Sequence, residues 1–377
     1  MPKIEITNAS LVEGITRWIE CESPSHDVVA LRKMAEIIIE DALNNMLDGE
    51  TVSLGEETGP AIIIRQKESD PSEAGILILG HYDTVHPIGA LRENPCRLEE
   101  GKLYGPGSYD MKAGLLLCLS AMGSLANRKS TALPISFLIV PDEETGSIAS
   151  RALTEKMASN SRFALVAEPA RANTGFCVTA RKGTGQISMS VHGCAAHAGI
   201  AHEKGRSAIR ELAHRIIALE AMTDYAKGTT ISVGHIDGGG AVNVVPDLAS
   251  LVADYRVTDV DADEDLKRKI SAMRPSDPDV TIETQAVLTR PPMPRTAATG
   301  KLLEHAQRIG QQSGFVLGEA PPTGGGSDAN FTAALGVPTL DGLGADGDGA
   351  HTKNEFIFVG TLVARATFWT ALLKQLQ

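Results

Sequence analysis

Leu138–Ser147 reads LIVPDEETGS, two adjacent glutamates, Glu143 and Glu144, set directly after an apolar run. The run Ile135–Val140 lies between Pro134 and Pro141 and has the length and composition of a strand buried on both faces. Neighbouring residues at its end point to different sides, so the two carboxylates can hold two jobs at one site. An isolated acidic turn would explain the triplet Asp142–Glu144 equally well, but two more apolar runs end the same way. Residues 76–79 (ILIL) run into Gly80, His81, Tyr82 and Asp83, and residues 163–167 (FALVA) run into Glu168 and Pro169. Open α/β sheets bind ligands at the carboxyl ends of their strands, which places these acids and the histidine at one edge. Asp110, in GPGSYDMKAG ahead of an apolar helix at 115–126, and His351, after a glycine-rich stretch, are further candidates.

At 377 residues the chain exceeds one compact core. Its formal net charge of -12 argues against nucleic-acid or anionic-membrane partners, which call for a basic face. Five cysteines, Cys21, Cys96, Cys118, Cys177 and Cys194, form no CxxC and indicate neither a disulfide framework nor a thiolate zinc site. The N-terminal residues lack a signal-peptide pattern, and no apolar run is long enough to span a bilayer, so a cytoplasmic setting is expected.

Two helical periods fill 10–47, the second capped by Ser25 or Asp27. From about Thr174 the pattern changes to strand 185–193, helix 205–222, strands 230–235 and 249–257 around Gly238–Gly240, helix 262–273 and strand 279–288. This β-α-β-β-α-β order is the ferredoxin-like signature and reads as an inserted domain. Pro291, Pro292 and Pro294 mark the return to the first domain, which ends with a helix at 361–376.

Histidines and carboxylates without thiolates make a donor set suited to Zn²⁺, with Co²⁺ or Mn²⁺ as substitutes. His81, Asp110, Glu144, Glu168 and His351 are too many for one catalytic zinc, whereas two ions sharing a carboxylate and a water account for the surplus. Asp83 can then hold the second ring nitrogen of His81. Glu143, adjacent to a ligand but not needed as one, is the natural general base. The predicted chemistry is hydrolysis of an amide or similar carbonyl bond.

The motifs GHYDTV, GPGSYDMKAG, PDEETGS, AEP, HAG at His197, GRSA, NVVP, DYR, TGGGSDA and GDGAHTKNE follow one another in an order that resembles the dizinc exopeptidase family of glutamate carboxypeptidase, acetylornithine deacetylase, succinyl-diaminopimelate desuccinylase and aminoacylase. The resemblance covers almost the whole chain and is greatest to the glutamate carboxypeptidase branch. It implies an α/β fold in which a dizinc aminopeptidase-like catalytic domain, residues 1–174 and 289–377, has a mixed, mostly parallel sheet between helices. Residues 175–288 would be a ferredoxin-like α+β lid and dimerisation domain. It further implies that His81 and Glu168 hold one metal, Glu144 and His351 the other, and that Asp110 bridges them ahead of a cis peptide. Asp83 would support His81, Glu143 would carry the proton from water to the leaving amine, and His197 would reach the partner's active site in a homodimer.

A substrate carboxylate needs cationic or amide donors. The resemblance assigns that role to Asn243 and Arg256, with Gly324, Gly325 and Gly326 as a backbone anion nest and Arg290 as an addition. A surface ion pair of Arg256 with Asp254 or Asp259 is the plainer alternative. Glutamate preference would call for a second cation, for which Arg181, Lys182 and Arg290 are candidates. His86, His192, His202, His214, His235 and His305 read as surface or core residues. Tyr82 and Tyr109 flank ligands at positions where the family seldom has tyrosine, and are expected to line the pocket. The leading function is therefore release of an amino acid with a free carboxylate from a peptidyl or N-acyl substrate. N-deacylation of acetylornithine-like or succinylated substrates, aminohydrolysis of an aromatic amine, and a catalytically silent metal scaffold are the alternatives.

Overall fold

The computed structural model describes residues 4–377. It divides into one unit made of the residues up to Ala180, Arg295–Pro322 and Ser327–Gln377, and a second made of Arg181–Pro294 and Thr323–Gly326. The sequence reading set the borders at 174/175 and 288/289. The return of Thr323–Gly326 to the second unit has no compositional signal beyond its three glycines.

The first unit is built on a six-stranded sheet with spatial order Asp48–Val52, Ala61–Arg65, Ile135–Val140, Gly75–His81, Ser161–Val166 and Thr339–Leu340. The last four run parallel, and the first two form an antiparallel hairpin at one edge. Gly75–His81 is buried along its whole length, as an uninterrupted apolar run requires of a central strand. The register is what positions the site. His81 lies beside Val140, and Leu79 beside Val166. The three apolar runs therefore end level with one another, and Asp83, Glu143, Glu144 and Glu168 all leave the sheet at one edge.

The helix Ala113–Ser124 is buried from Ala113 to Gly123, which accounts for its lack of a polar face. Trp18, Trp369, Phe137 and Phe368 belong to the same core. Asp27, and not Ser25, caps the helix Val28–Asn44 by accepting from Ala30 N at 2.9 Å. Ser25 donates instead to Asp83 Oδ2 at 2.7 Å. Asp110 and Met111 are joined by a cis peptide, as the resemblance implied.

The second unit carries a four-stranded antiparallel sheet in the order Thr230–Gly238, Leu248–Val257, Gly183–His192 and Thr281–Arg290. Helices Ala208–Glu220, capped by Ser207, and Val260–Ser271, capped by Asp259, complete the β-α-β-β-α-β order. Alternate residues of Leu248–Val257 are buried, giving a sheet with one face packed and one face polar. Its own core gathers Ile187, Met189, Leu212, Leu251, Tyr255, Leu266 and Ile270. Among the described residues, no helix is long and apolar enough to cross a membrane. All five cysteines are free.

Candidate metal centre

Four candidate ligands gather around the carboxylate of a fifth, Asp110. Asp110 Oδ1 lies 3.1 Å from His81 Nε2, and Asp110 Oδ2 lies 3.2 Å from His351 Nε2. Glu168 Oε1 is 3.7 Å from His81 Nε2, and Glu144 Oε1 is 3.2 Å from His351 Nε2. Each oxygen of Asp110 thus faces one imidazole, and each imidazole has a second carboxylate beside it. Ligand atoms of His81, Asp110 and Glu144, and those of His81, Glu143 and Glu168, fall in two groups within 4.8 Å.

His81 is 1% exposed and His351 is 51% exposed, so one side of the centre is sealed and the other open. The Nδ1 of His81 is 3.0 Å from the Asp83 carbonyl oxygen and 3.4 Å from its carboxylate. Those contacts fix the ring so that Nε2 faces Asp110. Asp83 is fully buried and does more than the sequence indicated. Its Oδ1 accepts from Glu143 N and its Oδ2 from Glu144 N, each at 3.2 Å. The carboxylate beside the first histidine therefore grips the backbone of the glutamate pair in the short turn Glu143–Thr145 that follows the neighbouring strand.

The electrostatics describe a cluster that requires positive charge. Burial, reinforced by the charge of Asp110, pushes the Glu168 carboxyl well up. Burial also works against a charge on Asp110, yet its hydrogen bonds with His351 and His81 hold it well below the usual carboxylate range. His351 is pushed up to about 10 by Asp110 and Glu144. The carboxylates thus favour positive charge at the imidazoles, and a bound metal ion would supply it in place of a proton. Glu144 Oε1 is buried without an aligned hydrogen-bond donor. Together with that buried oxygen, which faces His351 Nε2, the two imidazole Nε2 atoms and the Asp110 carboxylate between them fit a pair of divalent ions with nitrogen and oxygen ligands.

The remaining sequence candidates lie in the second unit. His197 is exposed on the short strand Ala196–His197, paired to Val244–Val245, and its Nδ1 accepts from Gly199 N at 3.1 Å. The Asn243 carbonyl accepts from Ala198 N at 2.8 Å. Arg256 is forked on Asp254 at 2.8 and 2.9 Å, the plainer alternative recognised in the sequence, and its third nitrogen donates to Gly324 O at 3.2 Å. Arg181 donates to Gly325 O at 3.0 Å. A Cβ at Gly326 would meet Arg290 Cδ at 2.9 Å, so only glycine allows that buried arginine its place. Three arginines therefore surround Gly324–Gly326, with the first two glycine carbonyls turned toward them.

Two tyrosine expectations are corrected. Tyr82 is fully buried and donates to Pro60 O at 2.7 Å, while Tyr109 is 5% exposed and donates to Ala170 O. Along a strand alternate residues face opposite ways, so Tyr82 points away from the side used by His81 and Asp83. Both side chains are buried and both hydroxyls donate to backbone carbonyls, so the tyrosines lend no support to an aromatic-amine substrate. The sequence reading also missed Glu355 and its contact with His86, although Glu355 lies within the motif that contains His351.

Comparison with known proteins agrees with this geometry. A family model described as Peptidase family M20/M25/M40 matches residues 77–375. Carboxypeptidase G2 of Pseudomonas sp. (strain RS-16) is 27% identical over 373 residues, covering 97% of this chain and 89% of the relative. A succinyl-diaminopimelate desuccinylase of Dechloromonas aromatica (strain RCB) is 27% identical over 316 residues, covering 79% of this chain and 82% of the relative. The crystal structure of an aminopeptidase from Bacillus cereus ATCC 10987 shares the fold with a TM-score of 0.77 at 22% identity, covering 98% of both chains. With the match spanning most of both units and the donor set suited to two divalent ions, the chain belongs to peptidase family M20/M25/M40 and is a metal-dependent hydrolase of amide bonds, of the dinuclear zinc type.

Proposed function

We propose that the protein is a carboxypeptidase-like hydrolase that releases an amino acid with a free carboxylate from a peptidyl or N-acyl partner. The observation that carries this reading is the cluster of Arg181, Arg256 and Arg290 around Gly324–Gly326, three cations on one small patch of the second unit. Guanidinium groups suit carboxylates because their planar donors match both oxygens. The full-length similarity to carboxypeptidase G2 supports the same reading.

His81 and Glu168 would hold one ion, Glu144 and His351 the second, and Asp110 would serve both. When bound, the ions supply Lewis acidity that activates water and polarises the scissile carbonyl. Glu143 accepts the proton from water and returns it to the leaving amine, and Asp83 fixes both the His81 ring and the Glu143 backbone. Arg256 and Asn243 receive the α-carboxylate. Arg290, Arg181 or Lys182 meets an acidic side chain, which makes glutamate the favoured residue. His197 polarises the substrate carbonyl of a second copy in a homodimer formed through the second unit.

The desuccinylase similarity supports N-deacylation as a second reading, in which the product carries a cationic side chain. Release of amino acids from a panel of peptidyl, N-acyl and N-succinyl substrates by zinc-loaded protein, beside a chelated control, separates the two. Metal-dependent release of C-terminal glutamate supports the first. Release restricted to basic amino acids contradicts it and establishes the second.

A further inference from the structure

Glu355 is completely buried four residues beyond His351. Its Oε1 accepts from the backbone N–H groups of Tyr109 and Asp110, each at 2.8 Å. Its Oε2 accepts from Gly107 N and lies 2.8 Å from His86 Nε2. An ionised carboxylate has only acceptors, so the proton of the last contact sits on His86 Nε2. The Glu355 carbonyl also accepts from Gly105 N at 3.2 Å. One side chain therefore holds His86, five residues after His81; the backbone 107–110 leading into Asp110; and, through its own chain, the segment that starts at His351.

We propose that Glu355 is the positioning residue of the metal centre, fixing Asp110 between the two histidines; the inference rests on the reading of Asp110 as the shared ligand. The three segments it joins meet nowhere in sequence, the Asp110 backbone being 245 residues from Glu355. Gly107 is in the left-handed region with φ +70°, and a Cβ there would meet Thr84 Cγ2 at 2.7 Å. That turn aims the Gly107, Tyr109 and Asp110 N–H groups at one point, where an anion with four acceptor sites meets them. The chemistry requires a carboxylate. A glutamine would turn an NH₂ group toward two existing donors, either Gly107 and His86 or Tyr109 and Asp110. An aspartate is too short to reach both sides. Glu355 touches no reacting atom and acts through Asp110 and the turn that carries it.

The test is cobalt titration of metal-free full-length protein and of E355Q, read by bound stoichiometry and by the visible d–d spectrum, with circular dichroism as the check on folding. E355Q is expected to stay folded, to bind cobalt roughly 10- to 100-fold more weakly and to show an altered spectrum. Wild-type affinity and spectrum in E355Q would overturn the proposal, as would a lower melting temperature with cobalt binding unchanged, since that marks a purely structural role. If E355Q does not fold, H86A removes one donor and leaves the three backbone bonds. Weaker cobalt binding and a shifted spectrum are then expected, and wild-type behaviour overturns the clamp. Wild-type protein that binds fewer than two cobalt ions would overturn the ligand assignment itself, a failure distinguishable from that of the clamp.

Discussion

The two units place charged residues by opposite means. In the first, the strand Gly75–His81 is buried throughout and the charged groups begin where the sheet ends. Asp83 there takes Glu143 N, Glu144 N and Ser25 Oγ, so its carboxylate is surrounded by donors. In the second unit, Arg256 and Asp254 sit within the strand Leu248–Val257 on its polar face, and Arg256 is 32% exposed. Its fork pairs with a half-exposed carboxylate two residues away, and its third nitrogen with the Gly324 carbonyl. Rigid positioning suits ligands that must keep their geometry through every turnover. An exposed ion pair contributes little to stability and yields readily to an incoming carboxylate. Perturbing the first unit should thus change chemistry and metal content, and perturbing Arg256 in the second should change recognition.

The sharpest break in that comparison is E143A, which removes the proposed base. Turnover should fall by roughly 10²- to 10⁴-fold with two metal ions retained. Glu143 also lies in one of the two groups of possible ligands, so loss of an ion from E143A would move it into the coordination set. Next is H197A, expected to lower kcat by about 10²- to 10³-fold, the usual cost of removing one donor to a developing oxyanion. Mixing H197A with E143A protein under conditions of subunit exchange should restore turnover, since each supplies what the other lacks across a dimer. No recovery in exchanged dimers would confine His197 to its own chain or remove its role.

R256A should lower kcat/KM for carboxylate substrates by roughly 10- to 100-fold, corresponding to the 1.5–3 kcal/mol of a charge-assisted hydrogen bond, mainly through KM. Metal content and melting temperature should hardly change, and an unchanged KM would end that assignment. The smallest effect is predicted for Y82F. Loss of its bond to Pro60 should cost about 1 kcal/mol of unfolding free energy, measured in urea, with kcat unaltered. A large loss of kcat in folded Y82F would return that tyrosine to the pocket.

What was legible in the sequence followed from periodicity. The apolar runs ending at Leu79, Val140 and Ala167 could be read as buried strands because no charged residue interrupts them, and their aligned ends then grouped the ligands. The second unit was legible through its strand alternation and its helical periods. The missing part consists of bonds to backbone. Asp83 to the Glu143 and Glu144 amides spans 60 and 61 residues, and Glu355 to the turn 107–110 spans more than 240. A backbone N–H has no side-chain signature, so such partners cannot be matched by residue type. Tyr82 illustrates the reverse error. Adjacency to a ligand in sequence suggested a shared pocket, whereas strand geometry sends neighbours to opposite faces.

In the proposed mechanism one shared carboxylate, Asp110, organises a two-ion centre on which hydrolysis depends. The direct measurement is reconstitution of metal-free wild-type protein with zinc, one equivalent at a time, following bound zinc and turnover together. Two bound equivalents are expected, with turnover that appears only as they bind and with loss of both properties in Asp110→Ala. A protein that saturates at one equivalent, or that turns over substrate fully without metal, would contradict it.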